Sequence, residues 1–199
     1  QSAYHAEAVS APTNLAVLIP DKVTFAEAST VALGAVALQG TRRLEPTMVE
    51  TFVVIGLGFL GQLISQMLQA QGCRTIGVDV ARDRLKLAQQ LGMSAGIHPD
   101  DAIDFEQVTR LTGGVGADGV IIAAATPSSS VISHAFKMCR RKGRVVLVGD
   151  VGLDINRGHP DATLLPHTTL FLSTRMPPGP PDRARAKVGF TQGRGRPPP

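Results

Sequence analysis

The sequence predicts a doubly wound α/β fold, in which a parallel β-sheet carries helices on both faces. Short, continuously apolar runs alternate along the chain with segments whose apolar residues recur at helical spacing. Runs that are apolar throughout are typical of strands buried on both faces. Because segments of helical length separate these runs, successive strands need crossover connections, which makes the sheet parallel and the crossovers right-handed.

The predicted elements follow one another from residue 24 onwards. A helix is predicted over Thr24 to Arg43, since Thr24 and Glu27 have the spacing of a capping box. Five apolar runs predict strands: Thr51–Ile55, Arg74–Asp79, Ala95–His98, Asp118–Ala124 and Arg144–Gly149. Apolar stripes or caps predict the helices between them: Leu60 to Leu68, Leu85 to Leu91, Asp101 to Leu111, and a helix capped by Ser128 or Ser129 that runs to about Arg141. Thr168 to Thr174 could add a sixth strand.

Composition narrows the classes of protein to consider. The chain has 199 residues, of which 43% are hydrophobic, enough for one packed core and incompatible with disorder throughout. Its two cysteines, Cys73 and Cys139, exclude a disulfide framework and favour a reducing compartment, so we expect a cytoplasmic protein. The uncharged stretch from Thr51 to Cys73 is long enough to span a bilayer, but its glutamines and glycines argue against that, and we expect no membrane partner.

The net charge of +4 lies in one segment. Residues 1–157 carry 14 basic and 14 acidic residues, whereas residues 158–199 carry six and two, together with nine of the 14 prolines. Such a composition cannot bury a core, so we expect a disordered basic tail. Phe171 and Phe190 are its only aromatic residues for stacking, and we expect no nucleic-acid partner. The same composition arises when GC-rich DNA is read out of frame, and we hypothesise a frameshifted C-terminus.

One motif carries the chemistry, the run Gly56-Leu57-Gly58-Phe59-Leu60-Gly61. It is a G-x-G-x-x-G that follows a predicted strand and opens a predicted helix, and Asp79 ends the next strand 18 residues after the last glycine. This context is that of a dinucleotide-binding turn. The first glycine allows the tight turn, the second lets the backbone approach a pyrophosphate, and the third lets the helix pack on the sheet. The helix N-terminus attracts the phosphates.

The acidic residue of this motif predicts which dinucleotide binds. Asp79 would accept hydrogen bonds from the adenosine ribose and repel a 2′-phosphate, which favours NAD over NADP. Arg82 and Arg84 could soften this preference, or they could be exposed helix residues. The alternative interpretation of the whole motif is a glycine-rich turn beside a solvated aspartate.

Several ordered motifs, spread from about Tyr4 to Asn156, resemble the coenzyme-binding domain of the medium-chain, zinc-type alcohol dehydrogenase-like oxidoreductases. Within that family the chain looks similar to the dehydrogenase half of two-part bacterial oxidoreductases. The matching stretches are Ile19–Asp21, Leu33-Gly34, Val54–Gly61, Gly77–Asp79, Arg84–Ala88, Leu91-Gly92, Thr112–Asp118 and Gly143–Gly149.

The resemblance implies a Rossmann fold and hydride transfer between a nicotinamide cofactor and an alcohol or carbonyl substrate. It implies that the backbone of Gly56, Leu57, Gly58, Phe59, Leu60 and Gly61 faces the pyrophosphate. Asp79, Val80 and Arg84 would lie at the adenosine ribose. The nicotinamide side would be lined by Ala124, Ala125, Thr126, Val148, Gly149 and Asp150.

The resemblance also implies a domain organisation. Residues 1–22 would be a remnant of a preceding catalytic domain, residues 23–157 the NAD(P)-binding domain, and residues 158–199 a last strand followed by the tail. The family's zinc and substrate residues lie mostly in the preceding domain, and Leu33 stands where zinc-type members can carry a cysteine ligand. The histidines, among them His98 and His134, are scattered and lack the spacing of metal ligands. We therefore expect no metal site here, and we assign no catalytic residue.

Two consequences follow if the preceding domain is missing. A small-molecule substrate would bind only when that domain is supplied, and the alternative function is a truncated, non-catalytic fragment that binds a dinucleotide. Apolar surface would be exposed at Thr51–Ile55 and Val145–Val148, and a homodimer could form through the edge strand near Phe171.

Overall fold

A computed structural model of the chain describes residues 16–99, 104–151 and 169–172. Its strands form one parallel six-stranded sheet in the order β3-β2-β1-β4-β5-β6, which confirms the predicted doubly wound fold. The strands are β1 Thr51–Ile55, β2 Arg74–Val78, β3 Ala95–Ile97, β4 Ala117–Ile122, β5 Cys139–Leu147 and β6 Thr169–Leu172. The helices are α1 Phe25–Ala28, α2 Val31–Arg43, α3 Phe59–Ala70, α4 Arg82–Gln90, α5 Asp104–Leu111 and α6 Ser130–Met138.

The sheet has an apolar cluster on each face. Val53 and Ile55 of β1 belong to the cluster that α5 and α6 cover, whereas Phe52 and Val54 belong to the cluster covered by α2, α3 and α4. Neighbouring residues of a strand point to opposite faces, so a strand that is apolar throughout serves both clusters. The continuous apolar runs therefore reflect a sheet that is covered on both sides.

The expected exposure of the apolar runs is wrong. Phe52, Val53 and Val54 of β1 and Val145 and Val146 of β5 are fully buried, because helices of this chain cover both faces of the sheet. Exposed apolar side chains lie elsewhere, and five of them lie before and within the first two helices, with exposures from 49% to 94%: Val17, Leu18, Phe25, Val31 and Leu33.

The uncharged stretch that raised the question of a membrane folds as a buried strand, a glycine turn and α3. In the described part of the chain, no helix combines the length and the apolar character needed to cross a bilayer.

The helix predicted from Thr24 to Arg43 is interrupted. The capping box between Thr24 and Glu27 is present, but α1 ends at Ala28 and α2 starts at Val31. The Ser29 and Thr30 hydroxyls donate to the carbonyl oxygens three residues earlier, each at 2.7 Å. Side chains of this type compete with the helical backbone bonds, which explains the break.

The boundary between α6 and β5 also differs from the prediction. The helix ends at Met138, three residues early, and β5 starts at Cys139, which pairs with Ala117. The pairing then shifts, and Lys142 takes a φ of 65° within the irregular segment. Ser129 is the N-cap residue of α6, as one of the two predicted alternatives, but its own side chain makes no capping hydrogen bond. The Ser128 hydroxyl instead accepts from the Ser130 N–H at 3.3 Å.

The remaining boundaries agree within one or two residues, except that α4 starts at Arg82, three residues before the predicted Leu85. The first three residues of the helix predicted from Asp101 lie outside the described residues, as does the tail after Leu172. The sixth strand is confirmed as β6, which lies at the edge of the sheet beside β5. Dimerisation through this edge stays a prediction.

Candidate functional site

A cavity of about 720 Å³ opens at the carboxyl ends of β1, β2 and β4. The strand order reverses between β1 and β4, and open α/β sheets bind ligands at such a point. The cavity is lined by Ile55, Gly56, Gly58, Val78, Asp79, Val80, Arg84, Pro99, Ala123, Ala124, Ala125, Thr126, Val131 and His134.

The glycine-rich turn closes one side of this cavity. Gly56 has a φ of +88°, and a Cβ atom there would lie 2.6 Å from the Ala124 nitrogen. A Cβ atom on Gly61 would collide with the Gly56 carbonyl oxygen. Gly58, by contrast, has open space where a Cβ atom would stand. The first and third glycines thus permit close backbone packing, while the second leaves room on the cavity wall.

Helix α3 begins directly after this turn, with Gly58 as its N-cap residue. The backbone N–H groups of the first turn of a helix have no intrahelical acceptor, and they carry the positive end of the helix dipole. The side chains of this run point elsewhere, since Leu57 is fully buried, Phe59 is half-exposed and Leu60 packs on the core. None of these three residues, nor Gly61, lines the cavity, so the run can offer a ligand mainly its backbone.

Asp79 follows β2 and lies on the cavity wall, with only 4% of its side chain exposed. One carboxylate oxygen, Oδ2, accepts from the Leu57 N–H at 2.6 Å, and Oδ1 accepts from the Ala81 N–H at 2.7 Å. A carboxylate oxygen accepts more than one hydrogen bond. The two backbone bonds therefore fix the orientation of the carboxylate and leave acceptor capacity on both oxygens.

Arg84, in the first turn of α4, is the nearest cation. Its Nη1 atom lies 3.9 Å from Asp79 Oδ2, and about half of the arginine side chain is exposed. At this distance the two groups make no hydrogen bond, and the exposed guanidinium remains hydrated. Arg84 thus adds a positive charge to the cavity wall beside Asp79, but it does not form a short hydrogen bond with that carboxylate.

The residues expected on the nicotinamide side separate into two groups. Ala124, Ala125 and Thr126 line the cavity that also contains Asp79 and Arg84. Val148, Gly149 and Asp150 follow β5 but do not line it. Val148 packs against α2, where a Cβ atom on Gly40 would lie 2.6 Å from Val148 Cγ2. Thr126 N–H donates to the Asp150 carbonyl at 3.0 Å and so ties the two groups together.

Sequence reasoning missed several residues around the site. His134 of α6 lines the cavity, and the His98 Nε2 atom lies 2.9 Å from the Val80 carbonyl oxygen beneath the loop after β2. Gln62 of α3 donates to the Leu57 carbonyl in the turn and to the Arg84 carbonyl in α4. No local pattern predicts the contacts of His98 with Val80 or of Gln62 with Arg84, because they join residues that are distant in the chain.

The described residues do not form a metal centre. Among them, no three histidine, cysteine or acidic side chains group together as ligands. Leu33 of α2 is half-exposed and contributes no donor atom. Burial raises the pKa of the Cys73 thiol, and it raises the pKa of Cys139 to about 12, so both are protonated at neutral pH.

Comparison with known protein families gives one match over more than half of the chain. Residues 60–175 match the family described as zinc-binding dehydrogenase. The sequence is 32% identical to an alcohol dehydrogenase of Geobacillus stearothermophilus over 148 residues, which are 73% of this chain and 42% of that protein. It is 30% identical to an alcohol dehydrogenase of Rhizobium meliloti (strain 1021) over 132 residues, 66% of this chain and 38% of that one.

Solved structures share the fold. The alcohol dehydrogenase TADH from Thermus sp. ATN1 superposes with a TM-score of 0.70 at 22% identity, over 77% of this chain and 44% of that one. The 2R,3R-butanediol dehydrogenase from Bacillus subtilis superposes with a TM-score of 0.67 at 23% identity, over the same shares. The chain spans less than half the length of these curated relatives and structures.

Proposed function

Because this chain belongs to the zinc-binding dehydrogenase family and corresponds to its coenzyme-binding half, we propose that its cavity binds a nicotinamide dinucleotide and prefers NAD(H) to NADP(H). The observation that carries the preference is Asp79, a buried carboxylate on the cavity wall with acceptor capacity to spare. Such a carboxylate binds ribose hydroxyls and repels a 2′-phosphate. The full function proposed is that of an alcohol dehydrogenase-like oxidoreductase.

The cavity fits this ligand at its phosphate side. The open space at Gly58 would receive the pyrophosphate, which could approach the backbone without meeting a side chain. The free N–H groups at the start of α3 would donate to its oxygens. The turn would keep its shape during binding because Leu57 N–H is held by Asp79 at 2.6 Å.

The adenosine side is proposed around Asp79, Val80 and Arg84. Ala124, Ala125 and Thr126 line the same cavity, and we propose that they lie on its nicotinamide side. The backbone of Val148, Gly149 and Asp150 follows the neighbouring strand β5 and would face the nicotinamide. When bound, the nicotinamide ring supplies the hydride acceptor or donor of the reaction, and these residues would hold and orient it.

The substrate side of the reaction is proposed to come from residues outside those described. The described residues do not supply a set of zinc ligands, so the group that activates the alcohol or carbonyl would have to lie elsewhere. Exposed apolar side chains at Val17, Leu18 and Phe25 favour a further domain packed on the first two helices. We propose that residues 1–22 belong to that domain, residues 23–157 bind the coenzyme, and the tail after β6 takes no part in binding.

Titration of the whole chain with NADH and NADPH, followed by nicotinamide fluorescence, tests the cofactor proposal. We expect NADH to bind about tenfold more tightly, the factor that corresponds to about 1.4 kcal/mol of charge repulsion near Asp79. Asp79→Asn removes the charge and should bring the two dissociation constants together, and Asp79→Ala should weaken NADH binding as well. Asp83→Asn is the matched control, since Asp83 is exposed in the first turn of α4 and lies off the cavity.

Equal binding of both dinucleotides by the wild-type chain, or binding of neither, would refute the proposal. An assay of alcohol oxidation with NAD then separates the two functions that the sequence left open. Binding with turnover indicates an oxidoreductase, whereas binding without turnover indicates a dinucleotide-binding fragment.

A further inference from the structure

Gln62 is the only buried polar side chain in the described residues with an oxygen or nitrogen atom that lacks a hydrogen-bond partner. It lies in the first turns of α3, directly after the last glycine of the turn, and is 9% exposed. Its Nε2 atom donates to the Leu57 carbonyl at 3.2 Å and to the Arg84 carbonyl at 3.0 Å. Because both neighbours are acceptors, only the NH₂ group of the amide can face them.

These two bonds complete a closed circuit of contacts around the ribose end of the site. Gln62 holds the carbonyl of Leu57, and the N–H of Leu57 donates to Asp79 at 2.6 Å. Asp79 in turn lies 3.9 Å from the Arg84 guanidinium, and the Arg84 carbonyl returns to Gln62. The circuit joins three separate segments, the glycine-rich turn, the loop after β2 and the first turn of α4.

The amide of Gln62 is only half satisfied, so its contribution comes from the two bonds made by its NH₂ group. Gln62 Oε1 is buried and accepts from no donor among the described residues, which costs free energy. An apolar side chain would avoid that cost, but it would leave the Leu57 and Arg84 carbonyls without this donor. The NH₂ group restrains the backbone at Leu57, where the glycine on either side allows unusual conformational freedom.

We propose that Gln62 is a positioning residue that sets the discrimination between NADH and NADPH. This inference rests on the proposed function of the cavity. Gln62 fixes the distance between the Asp79 carboxylate and the Arg84 guanidinium by holding the backbone on both sides of that pair. With the restraint lost, Arg84 can turn towards a 2′-phosphate and Asp79 is no longer held in the orientation that repels it.

The test compares Gln62→Met with Gln66→Met in the full chain. Methionine keeps the length of glutamine and removes its donors. Gln66 lies one turn further along α3 and donates only within that helix, to the Gln62 carbonyl at 3.1 Å, so it controls for the substitution itself. In Gln62→Met, we expect the ratio of the NADPH to the NADH dissociation constant to fall about threefold or more, the size expected for about one net hydrogen bond. In Gln66→Met the ratio should stay at the wild-type value.

The ratio separates positioning from general loosening, because a destabilised domain weakens both dinucleotides by the same factor. If Gln62→Met does not fold, Gln62→Asn replaces it, since its shorter amide cannot span both carbonyls and must shift the ratio in the same direction. An unchanged ratio in the folded variant, or an equal shift in Gln66→Met, would overturn the inference alone. Failure of the wild-type chain to bind either dinucleotide would overturn the proposed function, and this inference with it.

Discussion

Two aspartates at opposite ends of the sheet hold the backbone in the same way but have different surroundings. At the carboxyl end, Asp79 accepts from the Leu57 N–H at 2.6 Å, and at the amino end Asp118 accepts from the Thr51 N–H at 2.7 Å. Asp118 also accepts from Arg140 Nε at 2.6 Å, whereas the nearest cation to Asp79 stands at 3.9 Å. Asp79 is nonetheless the more deeply buried, with 4% of its side chain exposed against 25%.

The difference separates a structural carboxylate from one that is available to a ligand. A buried charge is costly unless it is paired or fully hydrogen-bonded, and Asp118 meets that requirement within the protein. Asp79 meets it only in part and lies on a cavity wall. Short ion pairs thus lie at the amino end of the sheet, including the pair of Arg144 with Glu45 at 3.0 Å. At the carboxyl end, Asp79 is held mainly by backbone N–H groups.

The largest effect is expected for Gly61→Ala at the carboxyl end. The added methyl group would collide with the Gly56 carbonyl oxygen, so the glycine turn and α3 would have to separate. We expect a loss of about 3 kcal/mol in the free energy of unfolding, measured by urea denaturation. Gly34→Ala is the control, because nothing lies within 4 Å of its new methyl group in α2, and it should gain about 0.5–1 kcal/mol. Equal stability of the two variants would contradict the close packing of the turn.

A smaller effect is expected for Asp118→Ala at the amino end. The substitution leaves the Thr51 N–H and Arg140 without their acceptor, and it should cost about 2 kcal/mol of unfolding free energy. Affinity for NADH should stay within about twofold of the wild type, because Asp118 lies at the other end of the sheet. Loss of NADH binding by the folded variant would contradict the conclusion that Asp118 has only a structural role.

The smallest effect is expected from the titration of Cys139, at the start of β5. Burial raises its pKa to about 12, so its contribution to stability is complete below the unfolded pKa of about 8.5 and is lost as the pH rises towards 12. Between pH 7.5 and pH 9.5, the wild type should lose about 1 kcal/mol more unfolding free energy than Cys139→Ala. Parallel pH profiles for the two proteins would show that the thiol is accessible to water.

The features predicted correctly from the sequence are those with a local cause. The strand Thr51–Ile55 is apolar throughout because it lies between two layers of helices. The first and third glycines of the turn are needed because a Cβ atom there would collide with nearby backbone atoms. The position of Asp79 on the cavity wall likewise follows from its place at the end of the second strand. Such signals are contained within a short stretch of chain, so they can be recognised without a structure.

The features that were missed depend on contacts between distant segments. β5 starts at Cys139 because Arg140 reaches Asp118, 22 residues away, and no periodicity near Cys139 reveals that pair. Gln62 looks like any polar residue of an amphipathic helix until the carbonyls of Leu57 and Arg84 come beside it. The prediction that β1 and β5 expose apolar surface was wrong because helices of the same chain cover both faces of these strands. That cover depends on how distant segments pack together.

If Asp79 sets the coenzyme preference, as proposed, its two backbone hydrogen bonds restrict the substitutions that can change that preference. A side chain that accommodates a 2′-phosphate must lose the negative charge, but a side chain without acceptor atoms leaves the N–H groups of Leu57 and Ala81 without partners. Each unpaired donor costs about 1–3 kcal/mol if it stays buried. An apolar replacement at this position therefore needs a second substitution that supplies the lost acceptor. Variants in which that acceptor is introduced first should be more stable than variants in which Asp79 is replaced first.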